Sequence, residues 1–161
     1  MKGIKIMSVE IVRNYFESNN INKEILEFPV SSATVELAAE AVGVEPARIA
    51  KTLSFYTKEK DGAILIVTAG DMKIDNSKFK HFFGMKAKML APEDVERLTG
   101  HAIGGVCPFG NPDTVTTYLD ESMKRFETVF PAAGSSNSAV EMTCEELEKY
   151  SQAKEWVDVC K

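Results

Sequence analysis

Three stretches of the chain carry residue types that could do chemistry. The first is Lys51. Residues 49–57 alternate as a strand, with Ile49, Lys51, Leu53 and Phe55 on one face and Ala50, Thr52, Ser54 and Tyr56 on the other. A lysine in line with large apolar side chains has two readings. It snorkels, with its stem packed and its charge in water, or it sets an ammonium at the wall of a pocket. There it would meet a phosphate or a developing oxyanion. The second stretch is Gly104-Gly105-Val106-Cys107-Pro108-Phe109-Gly110. Its glycines permit unusual dihedrals and a close approach to the backbone, whose N–H groups could hold a carboxyl oxygen or a phosphate. A plain tight turn would use the same residues. It is not a P-loop, because no Lys-Ser/Thr pair follows the last glycine. The third is Gly134-Ser135-Ser136-Asn137-Ser138. It reads either as a hairpin turn or as a site offering hydroxyls, an amide and free backbone groups.

Cys107 is a weak candidate for a nucleophile. The residue after a nucleophile usually supplies an oxyanion N–H, and Pro108 has none. The histidines, His81 and His101, are the available bases, and the sequence pairs neither with the cysteine. Cys107 is expected instead to line a pocket as a small apolar group. Two histidines and three scattered cysteines show no ligand spacing, so no metal and no cofactor are expected. There is no G-x-S-x-G elbow for a serine triad.

The elements that would position these residues follow from periodicity and punctuation. Ser8 opens a helix with Ile11, Val12, Tyr15 and Phe16 on one face. Residues 24–28 read as a short strand. Thr34 caps a second helix with Val35, Ala38, Ala39 and Val42 inward, and Gly43 ends it. A helical turn at 46–49 leads into the Lys51 strand. The charged turn 58–62 then leads into the apolar run 63–69, the mark of a strand covered on both faces. A helix over 75–83 ends at Gly84, a strand follows at 86–90, and Pro92 opens a helix through Leu98. Further strands are expected at 115–119, 127–131, 139–143 and 156–159, with Thr143 and Glu146 forming a capping box for a helix through Tyr150. The irregular alternation points to an α/β chain of mixed α+β type, a mixed sheet flanked by helices.

Composition bounds the rest. With 161 residues, a single domain over 1–161 is expected, without repeat or linker. At 44% hydrophobic and 27% charged residues the chain is an ordinary soluble globule, which rules out disorder and coiled coil. No apolar run reaches membrane-spanning length, so no membrane partner is expected. The N-terminus shows no signal-peptide pattern, and the odd, distant cysteines suit a reducing cytoplasm. A net charge of −5 excludes a globally basic nucleic-acid binder. A local run of lysines at 73, 78, 80, 86 and 88, opposed by Asp75 alone, is either a solvated face or a patch for a nucleic-acid backbone.

Taken together, these residues resemble the YbaK/prolyl-tRNA-synthetase-associated domain family, freestanding (ProX-like) editing proteins that deacylate mischarged tRNA. The matching stretches are residues 34–44, Ile49-Ala50-Lys51-Thr52-Leu53, Val67-Thr68-Ala69-Gly70-Asp71, Gly104 through Gly110, and Ala133-Gly134-Ser135. They stand in family order over residues 25–159. The resemblance implies a mixed β-sheet curled toward a barrel, surrounded by helices, with a pocket between the Lys51 strand and the glycine loop. It implies catalytic roles for Lys51, Gly104 and Gly105, with the glycine amides holding the ester carbonyl. Substrate contacts are expected from Ser31, Ser32, Thr34, Asp71, Val106, Cys107, Pro108, Phe109, Gly110, Gly134, Ser135 and Asn137. Lys73, Lys78 and Lys80 are expected on the tRNA backbone. The chain departs from the family in two places: Cys107 replaces a serine common in the loop, and no histidine lies in 134–138.

The activity so implied is trans-editing hydrolysis of a tRNA ester mischarged with Ala, Ser, Thr or Cys, with the tRNA for proline foremost. The partners are the aminoacyl-tRNA acceptor end and, as a further candidate, a tRNA synthetase, acting on a monomer or homodimer. Two rival readings use the same residues. One is a non-catalytic module that holds a tRNA end, a nucleotide or a synthetase. The other is a cysteine-dependent hydrolase, whose activity Cys107→Ser would abolish.

Overall fold

The apolar run at 63–69 organises the sheet. In the computed structural model, which describes residues 8–29 and 34–161, it forms β3 (Ala63–Ala69), and every residue of it is buried. Each large aliphatic side chain so covered contributes roughly 1.5–3 kcal/mol. The other strands are β1 (Leu26–Glu27), β2 (Ile49–Tyr56), β4 (Val115–Asp120), β5 (Thr128–Pro131), β6 (Ser138–Ala139), β7 (Met142–Thr143) and β8 (Glu155–Val157). Six of them form one sheet in the order β7-β5-β2-β3-β4-β8, and β1 pairs with β6 separately. The sheet is mixed. β2–β3 and β5–β7 are antiparallel, whereas β2–β5, β3–β4 and β4–β8 are parallel. It curls into a half-barrel with helices around it, as expected.

The helices are α1 (Ser8–Ser18), α2 (Val35–Val42), α3 (Asn76–Phe83), α4 (Pro92–Thr99) and α5 (Cys144–Ser151). Their ends follow local chemistry. The Thr34 side chain accepts from the Leu37 N–H, and Gly43 closes α2 in the left-handed region. Asp75 caps α3 through the Ser77 and Lys78 N–H groups, and Gly84 ends it. Thr143 and Glu146 form the full capping box of α5.

The sheet separates two cores. Ala50, Val67, Ala69 and Leu119 pack with Cys107 and Phe109 on one side. Phe55, Ile64, Ile66 and Tyr118 pack with Phe79 of α3 on the other. Ile49 and Phe130 meet Ala39, Val35 and Ala38 of α2 in a third cluster.

Three expected strands differ. Residues 24–28 keep only the two-residue β1. The stretch 86–90 is not a strand: it makes a single bridge, Phe55 to Met89. Met85 and Ala87 turn into the second core, and Ala91 is already the cap of α4, so no ladder can extend. The stretch 139–143 splits into β6 and β7, which pair with β1 and β5 respectively, as the chain crosses from one sheet to the other.

Candidate active site

The site grows from a gap in the sheet. Arg48 holds the start of β5 against β2, donating from Nε to Thr128 O (3.1 Å) and from its terminal nitrogen to Thr128 Oγ1 (2.5 Å). The two strands pair only at Ile49–Phe130 and Ala50–Pro131. Pro131 has no N–H, and its carbonyl accepts from Val140, so β5 leaves the ladder there. Further along β2, the outer edge is occupied again. Ser54 O accepts from Leu90 N (3.1 Å) and Tyr56 N donates to Lys88 O (2.9 Å). In a strand the N–H and C=O of one residue point to the same edge and alternate along the chain. Ser54 and Tyr56 point outward, so Thr52 does too. No strand among the described residues faces it. Its Oγ1 is also buried without a hydrogen-bond partner.

A cavity of about 240 Å³ occupies this gap. It is lined by Ile49, Ala50, Lys51, Thr52 and Ser54 of β2, by Gly104 and Val106 of the glycine loop, and by the start of α2. Phe130, Ala132, Ser135 and Ser138 complete the wall, and Met89 and Ile103, 56% and 66% exposed, stand at the rim. The volume lies below the roughly 300–1,000 Å³ of clefts for drug-sized ligands, so it suits a small acyl group.

Lys51 is half-buried, and its Nζ lies 3.4 Å from Gly70 O, a weak contact that leaves donors free. Gly70 brings that carbonyl close because it has no side chain. A Cβ there would meet Pro46 O at 2.2 Å and Val35 Cγ1 at 2.7 Å. The exit of β3 is thus pressed onto the turn before β2 and onto α2.

The glycine loop meets the cavity through a β-turn over residues 102–105. Gly105 N donates to Ala102 O (2.9 Å), and Gly104 takes φ +88°, the left-handed conformation such a turn needs at its third position. The turn sets Ile103 and Gly104 at the cavity. The Gly105 N–H, expected on the ester carbonyl, is therefore engaged within the loop. Gly105 instead lies buried against the third stretch, where a Cβ would stand 2.4 Å from Gly134 O. That third stretch is internally satisfied. Ser138 Oγ accepts from the Ala133 and Ser135 N–H groups, and Ser135 Oγ is 2.8 Å from both Ser138 Oγ and Asn137 Oδ1. Asn137 Nδ2 donates to Phe28 O (3.0 Å), which ties the loop to the segment after β1.

Of the expected site residues, the cavity brings together Thr34, Lys51, Gly104, Val106 and Ser135. Cys107, Pro108, Phe109, Gly110, Gly134 and Asn137 do not line it, and Pro108 and Gly110 border a separate cavity with Tyr15. Ser31 and Ser32 fall outside the described residues. Asp71 is exposed and held by Arg125 in a two-pronged pair (2.7 and 3.1 Å), which keeps its carboxyl below the usual range. It does not line the cavity. Lys73, Lys78 and Lys80 are all exposed, and Lys78 donates to Asp158 (3.0 Å) and Cys160 O (3.1 Å).

Two groups escaped the sequence reading. The sequence places Thr52 on a strand face but gives no sign of the gap. The sequence pairs His101 with nothing, yet its Nε2 lies 3.5 Å from Cys107 Sγ. The pair is not a nucleophile and base. Both residues are fully buried, and burial pushes the thiol up to about 12. The available signal was position: His101 follows the helix-ending Gly100 and stands among small and apolar residues.

Chemically, the cavity holds one ammonium, loop backbone and hydroxyls. No carboxylate, imidazole or thiol lines it among the described residues. It can bind an anion or polarise a carbonyl, but it offers no side-chain general base.

Residues 30–150 match the family model described as the aminoacyl-tRNA editing domain. The uncharacterized protein YwhH of Bacillus subtilis (strain 168) is 56% identical over 155 residues, covering 96% of this chain and 98% of that protein. EbsC of Enterococcus faecalis (strain ATCC 700802 / V583), named as a candidate Cys-tRNA(Pro)/Cys-tRNA(Cys) deacylase, is 31% identical over 71% of this chain and 70% of its own. A crystal structure described as a candidate trans-editing enzyme for prolyl tRNA synthetase superposes with a TM-score of 0.87. It is 31% identical and covers 98% of this chain and 99% of its own.

Proposed function

We propose, from the premise that the chain belongs to the aminoacyl-tRNA editing domain family, that it is a trans-editing deacylase of tRNA carrying a small wrong amino acid. The observation that carries this reading is the cavity itself, with Lys51 and the Gly104 turn on one small space. An aminoacyl ester is already activated, so the site must place a water and stabilise an oxyanion. Lys51 holds the phosphate or ester region of the terminal nucleotide. The backbone at Gly104 faces the carbonyl. A bound water adds through its oxygen to the carbonyl carbon, and the ribose hydroxyl next to the ester relays its proton, since the described wall supplies no side-chain base. The ester C–O bond breaks, and the ribose oxygen leaves with a proton.

Selection follows from size. A methylene separates small side chains by only about 1–3 kcal/mol in one binding step, which makes a second, hydrolytic sieve useful. The tRNA for proline is the first substrate to test, charged with alanine, cysteine, serine or threonine, with prolyl-tRNA as the control. Cysteine leads the panel because EbsC is named for it.

Deacylation of that panel by wild type and Lys51→Ala tests the proposal. Among the described residues the 3.4 Å contact is the one side-chain hydrogen bond of Lys51, so the variant is expected to fold. Hydrolysis of one mischarged species, absent in the variant, supports the reading. No hydrolysis across the panel, with tRNA still bound, refutes it in favour of a binding module.

A further inference from the structure

We infer that His101 is a positioning residue that aims the glycine loop at the cavity, through one imidazole hydrogen bond to the Phe109 carbonyl. The inference rests on the reading that this cavity hydrolyses an aminoacyl ester. The loop leaves α4 at Gly100 and reaches β4 only at Val115. Nothing in that span is regular secondary structure beyond turns. What fixes it is a set of cross-braces. Thr99 Oγ1 donates to Val95 O (2.7 Å) and accepts from His101 N (3.2 Å), which fastens the start of the loop to α4. Asn111 Nδ2 donates to Thr99 O (2.9 Å) and Cys107 O (3.0 Å), which closes its base. The imidazole spans the middle, with Nε2 2.8 Å from Phe109 O. Between the two ends of that brace lie Ile103, Gly104 and Val106, the loop residues that line the cavity.

The tautomer follows from the partners. A carbonyl oxygen only accepts, so Nε2 carries the proton and Nδ1 the lone pair. Nδ1 is the buried atom left without a partner. The ring is fully buried and does not line this cavity, so its role is not contact with substrate. Its effect on the reaction passes through the loop. The Phe109 ring, which packs edge-on to Phe16 with centroids 5.2 Å apart, anchors the far end of the brace in the core.

His101→Leu removes the donor at similar volume, and His101→Gln keeps an amide N–H that reaches toward Nε2. Single-turnover deacylation is expected to fall about 10²-fold in the leucine variant, the cost of a displacement of about 1 Å, and to recover to within about tenfold in the glutamine variant. Affinity for uncharged tRNA stays unchanged in both. The Gly104 and Val106 amide resonances move in the leucine variant and return toward wild type in the glutamine variant. Wild-type hydrolysis with a folded leucine variant that is equally fast overturns the inference, as does equal loss in both variants. If wild type hydrolyses nothing, the functional reading fails, and the amide resonances still decide whether His101 sets the loop. Should the leucine variant not fold, nitrogen NMR of the wild-type imidazole decides. A proton on Nε2 supports the brace, and a proton on Nδ1 overturns it.

Discussion

The contact between the two loops makes a sharp prediction at Gly105. A Cβ built there stands 2.4 Å from Gly134 O, 2.7 Å from Gly134 C and 2.9 Å from Ser135 Cα. Carbon atoms prefer separations of about 3.5–4.0 Å, so in Gly105→Ala the two backbones must part by roughly 1 Å. Overpacking of this kind costs about 1–3 kcal/mol, and backbone cannot swing aside as a flexible side chain does. For a chain of this size that lowers Tm by roughly 2–12 °C. The same 1 Å shift moves Gly104 and Ser135 away from each other across the cavity and should slow hydrolysis about 10²-fold. Gly84→Ala is the matched control. Its φ is +72°, nothing lies within 4 Å of the added Cβ, and it ends α3, which contributes nothing to the cavity. It carries the left-handed backbone penalty of about 1–2 kcal/mol alone. Thermal melts and single-turnover deacylation of both variants would be compared with wild type. A Gly105→Ala protein with the activity of Gly84→Ala would show that the loops are not pressed together, and the steric argument would fail.

Cys107→Ser should retain deacylation, because the thiol is buried and pushed up to about 12. Iodoacetamide at mildly alkaline pH should label Cys107 only after denaturation, and native labelling with loss of activity would revive the cysteine hydrolase. His101 gives a stability prediction in pH. Burial lowers its pKa, so the folded chain refuses a proton that the unfolded chain accepts below about 6.5. Stability should therefore hold above that value and fall as pH drops toward the folded pKa, by about 1.4 kcal/mol per unit of lowering. Urea melts from neutral to about pH 5 should show a weaker pH slope in His101→Gln than in wild type. Parallel slopes would contradict the assignment.

How much could be read in advance depended on range. The N-caps of α2 and α5 were legible because each is set by residues within one turn: Thr34 with Leu37 and Thr143 with Glu146, whereas Asp75 reads in sequence as part of α3 and proves to be its cap. The run at 63–69 was legible because burial on both faces leaves an unbroken apolar signature. Lys51 stood out by breaking an alternation, and the Gly104 turn by its composition. The rest depends on partners far along the chain. Lys78 meets Asp158 across 80 residues, and Asn137 meets Phe28 across 109. Residues 86–90 have the alternation of a strand, but only the position of α4 decides that one bridge forms. The gap at Thr52 is invisible in sequence, because it is defined by where β5 departs.

That gap has a consequence for how the chain balances self-association against a usable opening. An exposed sheet edge is a template on which another copy can add a strand. Among the described residues β2 is open opposite Thr52, with Pro131 on one flank and the Leu90–Ser54 bond on the other. One residue is too short to recruit a strand, yet its outward-pointing amide and carbonyl face whatever enters the cavity. In hydrogen–deuterium exchange the Thr52 amide should therefore trade its proton quickly between slow neighbours at Lys51 and Leu53, whose amides face β3. A sequence optimised for stability alone would seal that edge, and the opening would go with it.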